Sequence, residues 1–185
     1  MRIVGGALGG RSLKGPSSDA IRPTSDRMRE SLFNIIAHGM DFELQGARIL
    51  DLFAGTGANA LEAISRGAGY AVLVDIGTEA RGLQRANVEA LGLGGVTRIL
   101  RRDATKLGPV SPFEPFHLVF CDPPYGRGLG EAAIASAIAG GWLKPGAIIV
   151  LEERANVEPK LPPELLPLDR RKAGESQMNF CRFGG

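Results

Sequence analysis

The sequence predicts an α/β protein on a mainly parallel sheet, and three observations carry that prediction. Short runs rich in Val, Ile and Leu recur from residue 48 onward, separated by stretches of helical periodicity. Strands alternating with helices pack as a parallel sheet covered on both faces. Acids stand at or near the carboxyl ends of these runs, at Asp51, Asp75, Asp103 and Asp122, where open α/β sheets bind ligands. Residues 165–168 and 178–183 read as an antiparallel pair with Gly174 between them, which completes seven strands with an antiparallel strand at the C-terminal end.

Residues 1–20 are rich in Gly, Ser and Pro, with Gly5-Gly6 and Gly9-Gly10 placed to allow turns, so a small β-hairpin or arm is expected there. Arg22-Pro23-Thr24 leads into a helix with Thr24 as its cap, and Met28, Leu32, Phe33, Ile35 and Ile36 form one apolar stripe. Strands follow over residues 49–53, 71–75, 97–101, 118–121 and 147–152, and helices over 58–66, 78–91 and 131–139. The proline-rich residues 159–167 read as a loop. Two regions result: residues 1–40, an N-terminal hairpin and helix extension, and residues 41–185, a catalytic domain.

A chain of 185 residues with 44% hydrophobic content has enough length and apolar matter for one full core. Its apolar runs are too short to span a membrane, and its first residues lack the apolar stretch of a secretory signal. Cys121 and Cys181 have neither a disulfide framework nor zinc-ligand spacing and read as buried thiols. His38 and His117 likewise lack ligand spacing, so no metal is expected, and a cytoplasmic monomer is the expectation. Net charge is only +2, but arginine outnumbers lysine 17 to 5. Arginine forks onto phosphate and stacks on bases. Arg2, Arg11, Arg22, Arg27 and Arg29 gather near the N-terminus, with further clusters at residues 98–106 and 170–172. From charge alone, a nucleic-acid surface and a solvated mixed-charge surface are equally good readings.

Asp122-Pro123-Pro124-Tyr125 ends the strand after residue 117. Two prolines stiffen the chain and remove two backbone donors, leaving carbonyls that accept. An acid, a stiff row of acceptors and a flat ring suit a planar amine such as the exocyclic nitrogen of a nucleobase. The other half of the chemistry is Asp51-Leu52-Phe53-Ala54-Gly55-Thr56-Gly57-Ala58-Asn59-Ala60. Gly55 and Gly57 permit a tight turn and close approach of a ligand, and Asp75 stands 18 residues past Gly57, placed for two ribose hydroxyls. Such a loop also serves nicotinamide and flavin. Asp51 favours S-adenosylmethionine, because an acid there repels a pyrophosphate and attracts an amino group. Asp103 reads equally as a helix cap and as an acceptor for an adenine amine. Ile76 reads as an apolar wall for that adenine or as core.

Taken together, Asp51–Gly57, Asp75, Asp103 and Asp122–Tyr125 resemble the motifs of a Rossmann-like class I S-adenosylmethionine-dependent amino-methyltransferase. Met1–Gly6, Arg22–Asn34 and Ser65-Arg66-Gly67-Ala68 narrow the likeness to the RsmD family, bacterial methyltransferases acting on guanine N2 of small-subunit ribosomal RNA. Gly9-Gly10-Arg11 departs from the Arg-Gly-Arg of the family pattern. The resemblance implies a catalytic shelf of Asp122, Pro123, Pro124 and Tyr125. It implies S-adenosyl-L-methionine held by Asp51, Phe53, Gly55, Gly57, Asp75, Ile76, Asp103, Ala104 and Thr24. It further implies 16S rRNA or an assembling small subunit as partner, gripped by the N-terminal arginines. The rival activity is adenine-N6 methylation of DNA or RNA, since the four-residue shelf serves both bases.

Overall fold

A computed structural model describes residues 1–17, 21 and 24–185. Seven strands form one sheet in the order β3-β2-β1-β4-β5-β7-β6. The strands are β1 (Arg48–Leu52), β2 (Tyr70–Asp75), β3 (Thr97–Arg101), β4 (Phe116–Cys121), β5 (Leu143–Arg154), β6 (Leu165–Ala173) and β7 (Ser176–Phe183). The helices are α1 (Asp26–Gly39), α2 (Ala58–Ser65), α3 (Thr78–Leu91) and α4 (Leu129–Ala139). β1 to β5 run parallel, and β7 is antiparallel to both β5 and β6.

The period of two along each strand sorts the core into two faces. Leu50, Leu52, Val72, Val74, Val119, Cys121, Ile149 and Leu151 point to the side covered by α4. Their alternates Ile49, Ala71, Leu73, Leu118, Phe120, Ile148 and Val150 point to the side covered by α1 and α2. The buried stretches of the central strands are therefore almost wholly apolar, as a sheet buried on both faces requires. Asp51 is the one buried charged residue of β1, and its neighbours in register direct it towards α2.

The expected elements are present, with longer C-terminal strands. β5 extends back to Leu143 and β6 on to Ala173. Pro167, expected in a loop, lies inside β6 at a register shift. It is tolerated because β6 is an edge strand. The N-terminal hairpin reduces to one bridge, Arg2 with Ser12. The segment docks all the same: Ile3 and Leu13 pack among Ala58, Leu61, Val88 and Leu91 of α2 and α3. Gly6 permits this docking, since its φ is +76° and a Cβ there would stand 1.9 Å from the Ser65 carbonyl oxygen.

A buried ion-pair network beneath the hairpin overturns one expectation. Arg29, expected on the RNA-facing surface, is 0% exposed. Its guanidinium donates to Glu62 at 3.0 Å, Asp26 at 2.8 Å, the Thr24 carbonyl at 3.2 Å and the Arg2 carbonyl. Glu62 also accepts from the Val4 and Gly5 N–H groups and from Arg66. Burial pushes the Glu62 carboxyl up, but these hydrogen bonds outweigh it and hold it below its ordinary value. Arg29 thus joins hairpin, α1 and α2, and its place at i+3 from Asp26 did not reveal that.

Candidate active site

The parallel strands deliver their carboxyl ends to one edge, where β1 and β4 lead away to opposite sides of the sheet order. Ligands of open α/β sheets bind at such a switch point. A cavity of about 800 Å³ occupies it. Asp51, Phe53, Gly55, Asp75, Ile76, Asp103 and Thr24 line it, and so do Asp122, Pro123, Pro124 and Tyr125. The two motifs read separately in the sequence therefore share one hollow.

Two named cofactor residues do not line it. Gly57 caps the start of α2 in the left-handed region, φ +84°, and a Cβ there would stand 2.7 Å from a Leu73 methyl. Its smallness serves helix–strand packing. Ala104 is buried, and its side chain belongs to the core on the α4 side. The helix cap also differs from expectation: the Ser25 hydroxyl, not Thr24, accepts from the Met28 N–H. Thr24 is left facing the cavity.

Each carboxylate expected to hold the cofactor is itself held by backbone donors. Asp75 accepts from Gly55 N–H at 3.0 Å and Gly77 N–H at 2.9 Å. Asp103 caps the short turn Ala104–Lys106, accepting from the Thr105 N–H and hydroxyl with one oxygen. Those bonds, the hydroxyl's foremost, hold its carboxyl below the ordinary range. Asp103 also lines the cavity, so the cap and ligand readings are compatible. Asp51 is 2% exposed and accepts from Ala60 N–H at 3.2 Å. Burial, and secondarily the nearby Asp75, pushes its carboxyl well above the ordinary range.

Gln84, Asn87 and Asn59 escaped the sequence reading. Gln84 and Asn87, buried polar groups of α3, donate to the Gly55 and Thr56 carbonyls and clamp the glycine loop from behind. Their helical spacing makes them look like ordinary surface amides. Phe53 has φ +57°, a conformation that costs a non-glycine residue about 1–2 kcal/mol. Such backbone strain gathers at functional sites. Asn59 lines the cavity, and its Oδ1 is buried without a hydrogen-bond partner among the described residues. A buried carboxylate at Asp51 and an orphaned acceptor at Asn59 fit a ligand carrying an ammonium group.

The Asp122–Tyr125 shelf is anchored on both sides. Asp122 N–H reaches the Leu52 carbonyl of β1 at 3.4 Å. The Tyr125 hydroxyl donates to Glu152 of β5 at 2.6 Å, and Gly126 N–H to buried Glu153 at 3.0 Å. Burial foremost, aided by Asp122, raises the Cys121 thiol well above its ordinary value, so Cys121 is an inert part of the core. Cys181 is also buried, and burial pushes its thiol up to about 11. His117 accepts from the Arg48 N–H at the far end of β4.

Among the arginines expected to grip RNA, Arg2, Arg11 and Arg27 are exposed. Arg2 lies 3.8 Å from Asp26, and Arg11 donates to the Ala90 carbonyl. Arg22 lies outside the described residues. None of the described helices is long and apolar enough to cross a membrane. No group of His, Cys, Asp and Glu among the described residues has the arrangement of a metal site.

The sequence pattern of the family described as conserved hypothetical protein 95 matches residues 1–182. The chain is 38% identical over 162 residues to ribosomal RNA small subunit methyltransferase D of Escherichia coli, covering 88% of this chain and 78% of that protein. It is 30% identical to the protein of the same name from Haemophilus influenzae, covering 93% and 88%. In three dimensions it superposes on a solved structure described as putative methyltransferase yhhF from Escherichia coli with a TM-score of 0.85. The identity there is 33%, over 100% of this chain and 98% of that one.

Proposed function

The chain belongs to the RsmD family of ribosomal RNA methyltransferases, and on that premise we propose how its residues act and on what. It is an enzyme that methylates small-subunit (16S) rRNA, and the atom we assign is the exocyclic N2 of a guanine. The single observation that supports this most is the shared cavity: strand-end carboxylates and the amine shelf line one hollow.

The methyl donor we assign is S-adenosyl-L-methionine, which supplies a methyl group on a positively charged sulfur. Asp51 and Asn59 take its ammonium end, Asp75 the ribose hydroxyls, Asp103 the adenine amine and Ile76 the adenine face. Ile76 is 61% exposed, a cost in water that an aromatic ligand removes.

The guanine amine is a weak nucleophile, because its lone pair is delocalised into the ring. Asp122 and the Pro123 carbonyl each accept one N–H, holding the nitrogen in place and favouring its pyramidalisation. Orientation of this kind is worth up to ~7–11 kcal/mol. Asp122 takes the proton released as nitrogen gains its methyl, a role worth roughly 10²–10⁴-fold. Tyr125 stacks on the base, which contributes about 1–3 kcal/mol. Thr24 borders donor and target, residues 1–40 form the rim, and residues 41–185 carry the chemistry. The target base must be unpaired or turned out of its helix. Arg2, Arg11 and Arg27 grip the neighbouring phosphates. The setting is a monomer in the cytoplasm, working on rRNA in an assembling small subunit.

Labelled donor, incubated with small subunits, naked rRNA and DNA, tests this reading. Label is expected on guanine N2 of rRNA. Label confined to adenine, or to DNA, would overturn it.

A further inference from the structure

The shelf of Asp122, Pro123, Pro124 and Tyr125 can hold the exocyclic amine of guanine or of adenine, so selection between them must lie elsewhere. A second cavity of about 310 Å³ adjoins the first, and Thr24, Asp122 and Tyr125 line both. Glu152 of β5 lines only the second. The Tyr125 hydroxyl donates to its Oε1 at 2.6 Å, which fixes the carboxyl group beside the ring on which a base would stack. Among the described residues, no hydrogen bond is made to Glu152 Oε2. Asp122 and Glu175 add further acids to the lining. A phosphate is repelled by such a wall, whereas the donor-bearing edge of a base is attracted.

On the reading of the reaction given above, we propose that Glu152 selects guanine, its Oε2 accepting the ring N1–H while Asp122 and the Pro123 carbonyl hold the N2 amine. Guanine presents N1–H and the N2 amine side by side, all donors, to this row of acceptors. Adenine presents a bare N1 beside its amine, and that lone pair would face the carboxylate. A site that hydrogen-bonds a substrate N–H rejects the analogue lacking it, because its own polar group is left unpaired. Glu152 is thus a specificity-determining residue, and Tyr125 has a second task in orienting it.

The test uses 2-aminopurine in place of the target guanine, in the rRNA substrate on which the wild-type enzyme is active. This base keeps the amine and lacks N1–H. Because the analogue leaves the carboxylate oxygen unpaired, the wild-type enzyme should favour guanine roughly 10- to 100-fold in kcat/KM. Glu152→Gln can donate its amide N–H to the bare N1, so its preference should collapse towards unity while donor affinity, read by calorimetry, stays unchanged. An unchanged guanine preference in Glu152→Gln overturns the proposal. If that variant does not fold, Tyr125→Phe decides: it keeps the ring and releases the carboxylate, and an unchanged preference there overturns the proposal equally. A wild-type enzyme inactive on guanine would instead overturn the assigned reaction.

Discussion

The half of the crevice that we assign to the cofactor draws its residues from short stretches next to the strands that carry them. Asp51 and Gly55 belong to β1 and its loop, Asp75 and Ile76 to the end of β2, and Asp103 follows β3. The target half gathers Thr24 and Met28 from the start of α1, Asp122 and Tyr125 beyond β4, Glu152 from β5 and Ser176 from β7. Bonding differs in the same way. The carboxylates of the first half are held by backbone N–H groups, whereas the target half turns on a side-chain pair, Tyr125 with Glu152. Backbone clamps keep one ligand geometry whatever the neighbouring side chains are. A side-chain pair can be retuned by one substitution, which suits the half to which we assign substrate selection.

The largest expected effect separates the halves directly. Asp122→Ala should slow methyl transfer about 10²–10⁴-fold while calorimetric affinity for the donor is unchanged; a parallel loss of donor binding would show that the halves are coupled. Arg29→Met attacks the support common to both, leaving Glu62 a buried charge with one partner fewer. Breaking such a pair costs roughly 3–5 kcal/mol, to be read as a fall in the denaturant midpoint at unchanged slope. A midpoint like the wild type's would deny the network its structural role.

Asp51 tests the first half by pH. Its folded-state pKa lies above the ordinary value because of burial, and an ammonium group binds the ionised form. Donor affinity should therefore weaken as pH falls through that raised pKa, in a range where an ordinary aspartate is still ionised. Ligand-free stability should move oppositely, falling as pH rises from the ordinary value through the raised one. Asp51→Asn should remove both slopes and lose about 1.5–3 kcal/mol of donor binding; slopes that persist would assign them to another group. The smallest change is expected from Ile76→Ala, about 1 kcal/mol of donor affinity through lost apolar contact, with the guanine preference untouched.

How much of this was legible follows from locality. The apolar runs around Leu50, Val72 and Val119 announced buried strands, and the acids at their ends announced the crevice, because side-chain period and strand polarity are properties of a few consecutive residues. Arg29 misled, since an arginine at a helix start looks like a surface charge until Glu62, 33 residues away, is brought beneath it. Thr24 looked like the cap because it follows proline, yet Ser25 has the reach to the Met28 N–H. Gln84, Asn87 and Asn59 carry no pattern that separates them from ordinary surface amides.

The sequence by itself determined the α/β alternation, the glycine turn after β1, the carboxylates at the strand ends and the stiff shelf at Asp122–Tyr125. Each depends on backbone preferences and spacings within about one strand or turn. Only the tertiary structure decided that the two motifs share a cavity, that Arg29 is buried and that Glu152 stands against Tyr125. Those outcomes depend on sheet order, which sets β4 beside β1 and β5 beside β4, and on hydrogen bonds between residues 27 to 33 positions apart. Proximity of that kind arises from packing, and no local pattern encodes it.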